Sequence, residues 1–114
     1  ATRIENKHGG GVPDVHMVWD GLPFWLELKV TKSSAIKISP QQIAWHSAYR
    51  ARGGASFFLV KSLSTRDIVL FDGIMGADLL EKGVNGVGGP RFGNPAALFA
   101  ALRPCVSDIL RPAP

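Results

Sequence analysis

The chain has 114 residues, 46% of them apolar, with a formal charge of +4 and an isoelectric point near 9.6. That length supports one core and a single domain over 1–114. No run approaches the ~18 apolar residues of a membrane span, and no secretory leader is visible. A lone Cys105 excludes an internal disulfide and suits a small core residue in a reducing cytoplasm, while the basic balance favours a polyanionic partner.

Residues 1–8 read as the last turns of a helix, stopped by Gly9-Gly10-Gly11. The glycines permit close approach of backbone to a ligand, and equally suit a plain flexible turn. His8 and His16 are surface or packing residues, with phosphate contact as the alternative. Val12 to Trp19 is strand-like, and Asp20-Gly21 is a strong turn signal. Trp25 to Val30 alternates with a two-residue period, as a strand does. Leu26, Leu28 and Val30 then share one face, and Trp25, Glu27 and Lys29 the other. A hairpin closed at Asp20-Gly21 lays Asp14 beside Glu27 and Lys29. Charge placed among apolar residues is expensive unless it is paired or binds a metal. Two neighbouring carboxylates repel, and an all-oxygen donor set suits Mg²⁺ or Mn²⁺. The blander alternative is a surface Glu27–Lys29 salt bridge on an edge strand.

Thr31 to Lys37 is a polar, basic loop, and Lys32 and Lys37 are the first candidates for DNA-backbone contact. Solvated loop lysines are the alternative. Ser39-Pro40 with Gln42 three residues on spells a capped helix start, and Gly53-Gly54 ends that helix near Arg52. Ile43, Ala44, Ser47, Ala48 and Ala51 form a small-residue face for packing. Gln42, Trp45, His46 and Tyr49 form a second stripe. Gln42 either assists Lys29 or merely caps the helix, and His46 is a candidate nucleic-acid contact. Arg50 and Arg52 face solvent or DNA.

Ala55 to Ser62 is a continuously apolar, central strand, paired in parallel with the one before it. Lys61 approaches the site from its end. Asp67 to Asp72 is a fourth strand, and Ala77 to Lys82 a short helix stopped at Gly83. Residues 83–95 are a glycine-rich loop in which Arg91, with Lys82, is a second DNA-contact candidate. Gly86-Val-Gly-Gly89 lacks the lysine and hydroxyl residue of a phosphate-binding loop, so no nucleotide cofactor is expected. Pro95 to Leu102 is a helix capped by Asn94, followed by an apolar turn at Val106 to Leu110. Phe99, Leu102, Ile109 and Leu110 close the core or form a dimer surface. The pattern as a whole is α/β: a mixed sheet of about four strands flanked by helices.

Four pieces carry a resemblance: Arg3-Ile-Glu5, Gly11-Val-Pro-Asp14-Val, Phe24-Trp-Leu-Glu27-Leu-Lys29 and Ser39-Pro-Gln-Gln42-Ile-Ala-Trp45. Pro13-Asp14 with Glu27-Leu-Lys29 resembles the signature of the PD-(D/E)XK nuclease superfamily. The set is similar to the small phage and bacterial Holliday-junction-resolvase-like enzymes, the VRR-NUC type included, over roughly residues 3 to 61. The resemblance implies a restriction-endonuclease-like αβββαβ core and a Mg²⁺-dependent endonuclease hydrolysing DNA phosphodiesters. It implies metal binding by Asp14, Glu27, the Leu28 carbonyl and Glu5, with Lys29 and Gln42 managing the attacking water. A solvated Glu5 is the alternative. Branched DNA is the expected substrate, because so small a chain has little room for a sequence-reading module. Two cuts across a junction imply a homodimer, in a bacterial cytoplasm and of bacterial or phage origin. A nicking or restriction-like nuclease, or a catalytically silent DNA-binding module, are the alternatives.

Overall fold

The Asp20-Gly21 turn sets the geometry of the sheet. Both residues have positive φ, 52° and 76°, as a two-residue type I′ turn requires, and such a turn matches the natural twist of the strands it joins. It connects β2 (Val15–Trp19) to β3 (Leu22–Thr31), with Trp19 opposite Leu22 and Val15 opposite Leu26. The structure, a computed structural model, describes residues 2–3 and 11–111. Thr2–Arg3 form a two-residue strand β1, antiparallel to β2. The helix expected over residues 1–8 is therefore not present at Thr2–Arg3; residues 4–10, with Glu5 and His8, lie outside the described residues.

After β3 the chain crosses through α1 (Pro40–Ala51) and returns as β4 (Ser56–Ser62), parallel to β3. Glu27 stands opposite Phe58 and Lys29 opposite Val60. β4 is buried on both faces, as its unbroken apolar run demands. β5 (Ile68–Asp72) pairs antiparallel to β4, and β6 (Arg91–Phe92) to β5. The sheet is mixed, in order β1-β2-β3-β4-β5-β6. Its four longer strands match the expected number, and the two short ones are edge additions.

Helices cover both faces. On one side α3 (Pro95–Leu110) packs Leu98, Leu102 and Val106 against Leu22, Phe24, Leu26, Phe57 and Leu59. On the other, α1 and α2 (Gly76–Val87) enclose Phe58, Val60, Val69 and Phe71 with Ile36, Ile38 and Leu79. A 3₁₀ turn, Gly73–Met75, leads into α2. Among the described residues no helix is long and apolar enough to cross a membrane.

Three expectations are corrected. Gly83 does break the helix, with φ 74° and ψ 174°, but helical backbone resumes to Val87. The stretch 83–95 is therefore part helix and part strand β6, not one long loop. α3 runs on from its Asn94 cap through Pro104 to Leu110, so Val106 to Leu110 is no separate turn. On α1, Ile43 packs against the core as expected, but Ala44, Ala48 and Ala51 of the same expected face are exposed, while His46 is fully buried. The helix meets the sheet with the stripe that includes Gln42 and His46, because β4 offers His46 a hydrogen-bonding partner at Ser56.

Candidate functional site

β3 carries its two faces as the alternation implies. Trp25, Glu27 and Lys29 look toward α1, and Leu22, Phe24 and Leu26 toward α3. Asp14 immediately precedes β2, so the hairpin register brings it level with Glu27, one step beyond the Val15–Leu26 pair. Asp14 Oδ2 accepts a hydrogen bond from the Leu28 backbone N–H at 3.0 Å. Gly11 makes this approach possible. Its φ is 76°, and a Cβ there would lie 2.3 Å from the Gln41 carbonyl oxygen. The glycine thus seats the strand's lead-in directly on the start of α1, so at Gly11 the close approach is to the chain's own backbone.

Gln42 closes the group. Ser39 caps α1 through its hydroxyl, which accepts from Gln42 N at 3.1 Å, and Gln42 Oε1 accepts from Ser39 N at 3.0 Å. The same Oε1 accepts from Lys29 Nζ at 2.9 Å, and Nε2 donates to Glu27 Oε1 at 3.2 Å. Gln42 is therefore both cap and bridge. Asp14, Glu27, Lys29 and Gln42, spread over 29 positions of sequence, form one cluster at the C-terminal end of β3.

The electrostatics follow from burial. Glu27 is 2% exposed. Desolvation, with the Asp14 carboxylate beside it, pushes Glu27 up to about 8 against the opposing pull of Lys29. The pair holds a proton where two ordinary carboxylates would hold none, so a dication has a favourable place to replace it. The donors are all oxygen. The Leu28 carbonyl points to the same strand edge as its N–H, the edge Asp14 occupies. Among the described residues no group of three or more His, Cys, Asp and Glu side chains gathers. Mg²⁺ commonly takes one or two carboxylates and fills its other positions with water and substrate oxygen. Asp14, Glu27 and the Leu28 carbonyl fit that demand, and Glu5 lies outside the described residues.

Beside the cluster, the end of β3 and the loop that follows it frame a cleft of about 480 Å³ whose lining includes Lys29, Lys32 and Lys37. This loop is held in place. Ile36 and Ile38 are buried, and Thr31 Oγ1 donates to the Ala35 carbonyl at 2.8 Å. The Ser34 carbonyl accepts from Val84 N at 2.9 Å, and its hydroxyl from Asn85 N at 3.0 Å, at the Gly83 break in α2. Lys32 and Lys37 are exposed, as expected.

Other candidates fall elsewhere. His46 is fully buried, its Nδ1 2.8 Å from Ser56 Oγ and its ring 4.2 Å from that of Phe58. Burial and the Lys29 charge hold it down at about 4, so it is neutral and cannot touch a phosphate. Arg50 donates to both Asp72 carboxylate oxygens, at 2.7 and 3.0 Å, and to the Gly54 carbonyl, and so does not face a ligand. Lys61 projects from the opposite face of the sheet, level with Val30, and donates to the Arg66 carbonyl. It does not approach the site. Arg91 lies on β6, paired with Asp67 at 3.1 Å and with Asn85, three strands away from β3.

Beside the cluster stands a row of rings that carries the Trp45–Tyr49 stripe of α1 across to β3 and β2. His16 and Trp25 are 4.6 Å apart, Trp25 and Trp45 5.6 Å, and Trp45 and Tyr49 stack at 4.8 Å. The i, i+4 spacing of Trp45 and Tyr49 was the visible signal; its junction with Trp25 is tertiary.

Comparison with protein-family models, with curated proteins and with solved structures gives no match.

Proposed function

We propose that this chain is a divalent-metal-dependent DNA endonuclease of the PD-(D/E)XK kind, hydrolysing phosphodiester bonds. The observation that carries this reading is the convergence of Asp14, Glu27, Lys29 and Gln42 at one end of β3. Asp14, Glu27 and the Leu28 carbonyl would hold Mg²⁺, or Mn²⁺ in its place. When bound, that ion neutralises phosphate charge and acidifies a water.

The chain's own groups supply the rest. Lys29 presents an ammonium whose direction is fixed by Gln42 Oε1. It can donate to a phosphate oxygen or orient a water, stabilising charge that grows in the transition state. Gln42 holds Glu27 and Lys29 at a set separation, which limits the reorganisation that reaction requires. The lysines at 32 and 37 offer counter-charge to the flanking backbone. Branched DNA is the substrate we favour, cut by a homodimer in a bacterial cytoplasm. A catalytically silent module of the same fold is the second reading; it predicts salt-sensitive DNA binding with no cleavage.

The test is cleavage of linear, flap and four-way DNA by one preparation with Mg²⁺ and with EDTA. We expect Mg²⁺-dependent cutting that Asp14→Ala and Lys29→Ala abolish. Cutting that persists in both variants overturns the assignment.

A further inference from the structure

The ring row has a definite relation to the cluster. His16 and Trp25 are a cross-strand pair on the α1-facing side of the sheet. Each stands two residues along its strand from a carboxylate, Asp14 and Glu27, a step of about 7 Å. On α1, Trp45 and Tyr49 follow Gln42 by one and two turns. The rings therefore form one ledge that starts at the carboxylates and runs away from them. They touch in sequence, Trp25 edge-on to Trp45 and Trp45 nearly parallel to Tyr49, with an interplanar angle of 18°.

This ledge is not core. None of its four rings belongs to either apolar cluster, and all four are only partly buried, unlike the fully enclosed Phe24, Phe57, Phe58 and Phe71 at 0–3% exposed. The far end opens into a recess of about 120 Å³ between Trp45, Ala48, Tyr49 and Arg52. Arg52 is exposed there, and Arg50 is already committed to Asp72. Partly exposed rings and an exposed guanidinium on one side of the carboxylates, with the Lys32 and Lys37 cleft beyond them, match a flexible polyanion bearing flat apolar groups. A paired base in a duplex has both faces covered by its neighbours and cannot use such a ledge. An unpaired base can.

We infer that the Trp25–Trp45–Tyr49 ledge stacks unpaired bases next to the bond being cut, so that the substrate is single-stranded or splayed DNA at a branch. The inference rests on the nuclease reading for the position of that bond. Recognition here is independent of base identity, because every base has a face to stack. It also gives the favoured branched substrate a physical basis: a branch point is where bases leave their stack.

The test measures binding in EDTA, so that no cleavage intervenes. The probes are a labelled 12-nucleotide single strand and the duplex of the same sequence, read by anisotropy and tryptophan quenching. We expect the single strand to bind more tightly and to quench. Trp45→Ala and Tyr49→Ala should each weaken it about tenfold, with duplex binding changed little and Trp45→Phe retaining most of the affinity. If those variants fold poorly, the unaltered protein still decides: abasic nucleotides in place of bases should lower single-strand affinity by a similar factor. Equal affinity for single strand and duplex, or indifference to abasic substitution, overturns the inference. Mg²⁺ cleavage lost in Asp14→Ala without a single-strand preference would refute the ledge and leave the nuclease. A single-strand preference without cleavage would do the reverse.

Discussion

Two polar clusters lie under α1, one helical turn apart, and they have opposite characters. Around Gln42, the buried Glu27 carboxyl and the Lys29 ammonium meet beside Asp14, and Lys29 opens onto a cleft. Around His46, the ring is sealed against Phe58, Ser56 and the backbone of Gly73, and stays neutral. Gly73 leaves no room there: a Cβ would lie 2.1 Å from Ser56 Oγ. In the first cluster burial raises a carboxyl group's affinity for a positive charge, which a dication can satisfy. In the second it removes a charge and leaves His46 Nε2 without a partner among the described residues. Buried polarity that opens onto a cleft can do chemistry, whereas buried polarity that is closed off only shapes the fold.

That contrast can be broken by variants on each side. Glu27→Gln should have the largest effect, lowering Mg²⁺-dependent cleavage roughly 10³-fold. The same change should flatten a pH dependence. Glu27 titrates near 8 when folded against 4.5 for an ordinary glutamate. Its contribution to metal-free stability is therefore complete below pH 4.5 and is lost as pH rises through about 8. Urea midpoints in EDTA should fall over that window for the native chain, and not for Glu27→Gln or in excess Mg²⁺. His46 works in the other direction. Its folded value of about 4 lies below 6.5, so its contribution is present above pH 6.5 and lost as pH falls through 4.

Next in size, His46→Ala should cost about 2–4 kcal/mol of stability through a cavity against Phe58. The fraction still folded should cut at a near-native rate, which separates the closed cluster from the open one. Gln42→Ala should slow cleavage about 10–100-fold, an effect typical of losing the group that orients an active side chain. Urea midpoints would register a smaller loss, about 1 kcal/mol, from the missing helix cap. The smallest effects belong to the loop. Lys32→Ala and Lys37→Ala should each reduce the slope of log affinity against log salt by about 1, without changing the choice among DNA shapes.

The open cluster was legible in the sequence for local reasons. Strand alternation placed Glu27 and Lys29 on one face, Asp20-Gly21 fixed the hairpin that returns Asp14, and Ser39 to Gln42 spelled a capping box. Each signal spans a few residues. The closed cluster was not legible, because α1 carries two plausible inward stripes. The alanine stripe suits close packing, but the sheet presents Ser56 and Phe58, and these select His46. That choice is tertiary. So is the pairing of Arg50 with Asp72 across 22 residues, and of Arg91 with Asp67 across 24. Lys61 was placed by nearness to the end of a strand, and a shift of one residue along that strand reverses its face.

The proposed nuclease needs Asp14 and Glu27 together to hold one divalent cation. Titrating Mn²⁺ into the full chain, with bound ion read by electron paramagnetic resonance, tests it without any DNA. One saturable site per chain, competed by Mg²⁺ and lost in both Asp14→Ala and Glu27→Gln, is the result predicted; no saturable site, or one that survives both substitutions, would contradict it.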